Sequence, residues 1–328
     1  MNRFTTKGEN MPFPQNGKSI NIAPSKGFFS GISSEIKMNW MLFLMITPLI
    51  VYYILFHYMV MYGAQIAFKN YIPAMGIEGS PWAGFVHFKS FFESRYFIRI
   101  LRNTLQISFM VLLFGFPLPI IFALLLNEIR VKWYKKAVQT FSYLPHFISI
   151  MVVAGMIINF TSRNGFINDI ITFFGGTRQT WLQNPAAFKP IYVISDIWQS
   201  MGWSSIIYIA ALTSIDVERY EAASIDGANR FQKVWYISIP GIMPAITTLL
   251  ILRMGSIMSV GFEKIILLYN DATMETADVI SSFVYRRGLM DFAFSYSSAV
   301  GLFNSLVNLI LVFTANKLSR KITESSLF

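Results

Sequence analysis

There is no cysteine anywhere in the chain, which excludes disulfides and thiolate metal sites. Charge is also scarce: Asp, Glu, Lys and Arg make up 13% of the residues, against about a quarter in a soluble domain. Histidine occurs only at His57, His87 and His146, with no HExxH-type spacing for a metal. A phosphate loop is missing too. Gly17-Lys18-Ser19 ends like one, but Pro12 stands where the first glycine belongs and no strand precedes it. The chain brings no nucleotide site and no cofactor of its own.

What fills the sequence instead is apolar: 54% hydrophobic and 16% aromatic residues. That is the composition of a membrane protein. The net charge of +10 could suggest nucleic acid, but basic residues flanking spans beside an anionic leaflet account for it, and no nucleic-acid partner is expected. Residues 1–39 hold Pro12, Pro14, Gly17, Pro24 and Gly27 without the apolar core of a signal peptide, and read as a largely disordered cytoplasmic tail.

A membrane-spanning helix needs about 20 mainly apolar residues, because hydrocarbon offers the backbone no water to bond. Charge-free intervals place such spans near 40–62, 104–126, 141–161, 191–214, 241–262 and 297–316. The second is kinked by Pro117 and Pro119; the fourth contains Asp196 and the fifth Arg253. Six spans put both termini on one side. Short basic segments, Arg130 to Lys136 and Lys317 to Lys321, put that side in the cytoplasm, together with the loop 216–240. Residues 319–328 form a short cytoplasmic tail.

That loop contains YEAASIDGANRFQKVWYISIP, residues 220–240. Asp216 is placed to cap a helix whose early turns carry Glu218 and Glu221, where the helix dipole favours negative charge. Ala222 and Ala223 give a face almost free of side chain, and Gly227 suits a left-handed helix end. A second helix follows with Phe231, Val234 and Trp235 on one face, and Pro240 stops it before the next span. Glu221, Asp226 and Arg230 surround the small residues with polar groups. The pattern describes a rigid helix–turn–helix that a partner could approach closely, or an ordinary connecting loop with interfacial aromatics.

The spacing Glu-Ala-Ala, three residues, Gly, nine residues, Ile-x-Ile-Pro resembles the signature loop of permease subunits of bacterial ATP-binding-cassette (ABC) importers. Glu221, Ala222, Ala223, Gly227, Ile237 and Pro240 carry it, with Ile239 where the family has leucine. RNTLQIS, FPLPI, QTFSYLPHFIS and VGLFNSLVNLILVFTANKL are similar to the polysaccharide-permease branch, relatives of the maltose-type permeases. The resemblance runs from about residue 40 to the C-terminus. It implies an all-α integral membrane protein, a type I importer permease, with a six-helix domain over 40–318 and a cytoplasmic coupling loop at 216–240. It implies four protein partners: a second homologous permease, two cytoplasmic ATPase subunits that bind ATP and Mg²⁺, and an extracytoplasmic solute-binding protein. The chain would then be a multi-pass subunit of the bacterial cytoplasmic membrane and not an enzyme. Glu221, Ala222, Ala223, Asp226, Gly227, Arg230 and Pro240 would couple it to the ATPase.

Charged groups inside spans are costly and usually face a cavity or a partner. The maltose-type relatives place sugar contacts after a Leu-Pro in the third span, beside a tryptophan in the fourth, and along the fifth. Carried over to Leu144-Pro145, Trp198 and the stretch beyond Pro240, this gives His146, Ser149, Gln199, Ser200 and Arg253, with Trp198, Trp203 and Tyr208 nearby. Ile257 and Val260 also fall on this path, but they depart from the polar residues of the maltose case. Aromatic faces stack on sugar rings, and an arginine matches a carboxylate in a two-pronged fork. The hypothesis is an oligosaccharide carrying uronic acids, such as an alginate or pectin fragment. Arg253 can equally hold neutral hydroxyls or pair with Asp196. The alternative function is a stand-alone secondary transporter or channel for a polar solute, which would need internal repeats or a coupling-ion site.

Overall fold

Helices dominate because continuous apolar runs of about 20 residues suit a structure that satisfies its backbone within one segment, as a helix does. The computed structural model describes residues 38–323, and its chain separates into two compact units, Met1–Tyr62 and Gly63–Phe328. The expected tail therefore lies almost wholly outside the described residues. The six-helix domain, expected to begin at residue 40, is divided after Tyr62. Among the described residues there is one isolated bridge, Lys69 with Trp82.

In the first unit the helix Trp40–Tyr53 leads into a widened π turn at Ile54–Tyr58. No charged residue interrupts it, and its large side chains are exposed, so its surface is apolar on every side. A helix that is hydrophobic all round suits lipid.

Among the described residues, five helical runs are long and apolar enough to cross a membrane: Trp40–Phe68, Phe97–Glu128, Ile150–Phe173, Arg230–Met254 and Phe294–Lys317. The expected fourth span, 191–214, falls in the helix Pro185–Thr213. At 29 residues it is long enough, but Lys189, Asp196, Gln199 and a series of serines make it more polar than the five. The expected third span, 141–161, is not one helix. The helix Lys132–Tyr143 gives way to a 3₁₀ turn at Leu144–Phe147, and a new helix begins at Ile150. Pro145 lacks an N–H, and Ser149 accepts from Val152 N at 3.4 Å, capping the restart. The expected fifth span, 241–262, ends early, at Met254. Residues 255–261 are irregular before Phe262–Leu268. The last helix, Phe294–Thr323, runs into the stretch assigned to the C-terminal tail.

Prolines shape two of these helices differently from expectation. A proline ring presses on the carbonyl four residues earlier. Before Pro117 and Pro119 the turn Val111–Gly115 is widened to a π turn, and before Pro240 the turn Val234–Ser238 is widened likewise. The widening relieves the clash. Pro240 therefore does not stop its helix, which continues from Arg230 to Met254.

Three buried clusters hold the second unit together. Ile107, Phe188, Tyr192 and Ile265 belong to one; Ala123, Tyr208, Leu212 and Ile242 to another; Phe91, Ile100, Met258 and Phe283 to a third. Lipid tails are as apolar as these side chains, so close packing and hydrogen bonds carry the association. Gly202 shows how close: a Cβ there would collide with the Ser142 backbone carbonyl.

Candidate functional site: a polar cavity and a helix–turn–helix

The helix Pro185–Thr213 presents Asp196, Ser200, Trp203, Ser204 and Tyr208 at spacings that share one face. That face lines a cavity of about 700 Å³. Opposite it stand Ser108, Val111 and Pro119 from the Phe97–Glu128 run. Arg253 enters from the last turn of Ile239–Met254, where the helix dipole favours a cation. Ile257 and Val260 come from the irregular segment 255–261.

Irregular backbone at membrane depth survives only where protein or cavity surrounds it and its polar groups find partners. Here three side chains supply them. Ser108 Oγ donates to the Ile257 carbonyl and Ser281 Oγ to the Val260 carbonyl at 2.7 Å. Asn308 accepts from Met258 N at 3.0 Å and donates to Ser259 Oγ at 3.1 Å. Sequence reasoning missed Ser108, Asn308 and Ser281. The run Gly255 to Gly261, with two serines inside an apolar stretch, was the available signal.

Asp196 does not pair with Arg253. Lys264 Nζ, with a side chain only 3% exposed, reaches Asp196 Oδ1 at 3.2 Å and lies 5.4 Å from the Tyr192 ring centre. Lys264 was also missed, because it lies just beyond the expected fifth span, 241–262. Arg253 makes no ion pair among the described residues, and it is exposed at the cavity wall.

Of the ten candidate substrate residues, Ser200, Trp203, Tyr208, Arg253, Ile257 and Val260 line this cavity. Tyr208 and Val260 are almost fully buried and form wall rather than contact surface. His146, Ser149 and Gln199 gather at the helix break instead. The His146 ring stacks on Trp203, 4.6 Å between centres and 5° from parallel, while Gln199 donates to the Ile148 carbonyl at 3.4 Å. Trp198 is not among the lining residues. Two positions from Asp196 and from Ser200, it points roughly 160–200° away on the helix.

The second candidate region is built locally. Helix Val217–Ile225 ends with Gly227 at φ 78°, while Ala228 N donates to Ala223 O at 2.8 Å and Gly227 N to Ser224 O at 3.2 Å. This paired ending is a Schellman motif. Asn229 and Gln232 then bond each other's backbone N–H in a capping box. Lys233 Nζ donates to Ser224 Oγ at 2.6 Å, and the Tyr220 hydroxyl meets Ser238 Oγ at 3.0 Å, so the two arms are tied. Asp216 occupies the cap position without making a cap bond; its carboxylate lies 3.9 Å from Arg219. Glu221, Ala222, Asp226 and Arg230 are exposed, and Ala223 is half-buried. Ile225 is 87% exposed, and Phe231 and Trp235, whose rings stack 6.3 Å apart, are exposed as well, so this element carries several solvent-facing apolar side chains.

Largely helical among the described residues, with many exposed apolar side chains and with Asp196, Arg253 and several serines on one cavity wall, the protein has the build of a membrane carrier for a polar solute. Residues 115–324 match the family model described as binding-protein-dependent transport system inner membrane component. The chain belongs to that family: it is a permease component of the inner membrane, a transport subunit and not an enzyme. It is 43% identical over 301 residues to Protein LplB of Bacillus subtilis, covering 91% of this chain and 95% of that one. It is 44% identical over 288 residues to the polygalacturonan/rhamnogalacturonan transport system permease protein YteP of the same organism, covering 88% and 90%. Among solved structures, a chain of a bacterial ABC transporter involved in import of the acidic polysaccharide alginate matches with a TM-score of 0.83 and 46% identity. That match covers 89% of this chain and 99% of the other. A second alginate transporter structure, in complex with an alginate pentasaccharide-bound periplasmic protein, matches equally well.

Proposed function

We propose that this chain is the transmembrane permease subunit of an ATP-driven importer for oligosaccharides carrying uronic acids. It crosses the membrane six times, the five apolar runs being joined by the more polar helix Pro185–Thr213 as the fourth crossing, with both termini in the cytoplasm. It works with a second permease, two ATPase subunits that bind ATP and Mg²⁺, and a solute-binding protein outside. The observation that carries the substrate class is Arg253: an always-charged guanidinium on a polar cavity, without an ion-pair partner because Asp196 is engaged by Lys264. An arginine fork matches a carboxylate in geometry as well as charge. The relatives named for alginate and for polygalacturonan/rhamnogalacturonan transport support the same class.

The helix–turn–helix supports the coupling role. Its exposed apolar surface at Ile225, Phe231 and Trp235, ringed by Glu221, Asp226 and Arg230, suits a cleft in a cytoplasmic ATPase. Closure of the ATPase pair would move this tied element as a body. Its second arm is continuous with the helix that carries Arg253, so the motion reaches the cavity wall directly.

The test is ATP hydrolysis by the reconstituted importer with its binding protein, stimulated by acidic and by neutral oligosaccharides. Stimulation is expected to favour the acidic sugars, and Arg253→Gln to lower it for them by about tenfold, the loss of one charge-assisted contact. Equal losses for acidic and neutral sugars would remove the acidic-substrate reading.

A further inference from the structure

A second pocket, of about 740 Å³, lies among Arg95, Arg99, Arg102, Lys189 and Glu275, with Tyr96 and Asn103. It sets four cationic head groups against one carboxylate. Among the described residues Arg102 makes no ion pair or hydrogen bond, and Lys189 Nζ is held by neutral oxygens, Asn103 Oδ1 at 2.9 Å and Gln106 Oε1. Arg99 reaches Asp278 only at 3.5 Å, because that carboxylate is already bound by Arg286 at 2.6 Å. Arg99 Nε is buried with no hydrogen-bond partner. The Tyr96 ring has the guanidinium carbons of Arg95, Arg99 and Arg287 at 4.9, 5.0 and 5.7 Å from its centre.

Folding alone would not assemble this. Like charges in one concavity repel, and such a pocket focuses its field on an anion. Its position says which anion. The helix Phe97–Met110 brings Arg102 and Asn103 to this pocket and Ser108 to the central cavity. The helix Pro185–Thr213 brings Lys189 here and Tyr192 and Asp196 there. At 1.5 Å per residue the two sites are offset by roughly 10 Å along both helices. The same two helices therefore line an outer pocket rich in cations and an inner one with Arg253.

We infer that the Arg95–Arg99–Arg102–Lys189 pocket is an outer receiving site for the carboxylates of an acidic oligosaccharide. It captures the uronate groups on the outer side and passes the chain inward to Arg253. This rests on the acidic-substrate reading above. Tyr96 fits the role, since an aromatic face takes the apolar side of a sugar ring while the surrounding guanidiniums hold its carboxylates.

The experiment uses the complete importer, with its partner permease, ATPases and binding protein, in nanodiscs of phosphatidylcholine alone, so that anionic lipid headgroups are absent. The binding protein is loaded with trigalacturonate or with its carboxyl-reduced, neutral counterpart. For Arg95→Gln/Arg102→Gln, the concentration of trigalacturonate-loaded binding protein giving half-maximal ATPase activity should rise about tenfold, and its salt dependence should flatten. The maximal rate and the neutral sugar should be unaffected. Arg102→Gln alone, which removes no observed contact, should give a smaller shift of the same kind. Equal weakening with the neutral-loaded binding protein would identify a protein-docking surface and overturn the proposal. No shift in phosphatidylcholine, with one appearing only when anionic lipid is added, would identify a lipid site and also overturn it. If the wild type prefers the acidic sugar, and Arg253→Gln removes that preference while the outer variant keeps it, this proposal alone fails. If the wild type shows no preference, the acidic-substrate reading fails with it.

Discussion

The helix–turn–helix and the central cavity are held together in opposite ways. The first closes on itself: its ties join Ser224 to Lys233 and Tyr220 to Ser238, 9 and 18 residues apart. The cavity is assembled from distant parts, Ser108 with Ile257 across 149 residues, Asp196 with Lys264 across 68, Met258 with Asn308 across 50. A locally closed element can present an exposed apolar surface and still move as a body. A cavity closed by long-range contacts keeps its shape only while the whole bundle does. Changes in the first should therefore separate coupling from assembly, and changes in the second should not.

The sharpest way to break that contrast is Gly227→Leu. The φ of 78° is one that a side-chain-bearing residue adopts at a cost of roughly 1–2 kcal/mol, although nothing stands within 4 Å of where its Cβ would sit. The strain falls on a turn outside the bundle, and the added bulk falls on its exposed surface. The expected result is near-complete loss of substrate-stimulated ATP hydrolysis while the permease pair still copurifies. Normal stimulation would show that the turn is not the coupling contact.

Lys264→Met tests the other side. It leaves Asp196 without its cation, and Asp196, 29% exposed in its side chain, can recover only part of its solvation. Removing one partner of a buried pair costs about 3–5 kcal/mol; with this partial exposure about 2–3 kcal/mol is expected, read as a lower melting temperature of the purified complex. Adding Asp196→Asn should restore much of the loss. If Lys264→Met melts like the wild type, the pair is not holding the cavity wall.

The same contrast explains what could be read from the amino acids. The turn at Gly227 was legible because capping, glycine and spacing rules are local, and it forms where they place it. Arg253 was legible because a charge inside an apolar run is conspicuous. Lys264, Ser108 and Asn308 were not, since each acts on a residue at least 49 positions away and nothing near it in sequence marks the partner. The breaks at Leu144 and Gly255 were hidden for a related reason. Charge-free length reads as one helix until a cap such as Ser149 is weighed against it. Pro240 misled in the other direction, because a widened turn lets a helix pass through a proline.

The finest test bears on whether the two arms of the helix–turn–helix need their tie. Tyr220→Phe removes the hydroxyl that meets Ser238 Oγ at 3.0 Å and leaves the ring. Ser238 is 1% exposed, so its hydroxyl loses a partner in a dry place. A hydrogen bond of this kind contributes about 1 kcal/mol. The Schellman turn, the capping box and the Lys233–Ser224 bond all remain, so the arms should stay folded but hinge more freely. On the proposed coupling role, a hinged element would transmit less of the ATPase motion. ATP hydrolysis should then continue at nearly its normal stimulated rate while substrate moved per ATP falls by a modest fraction. Transport and hydrolysis measured on the same proteoliposomes read that ratio, and an unchanged ratio would assign the rigidity to the backbone turn alone.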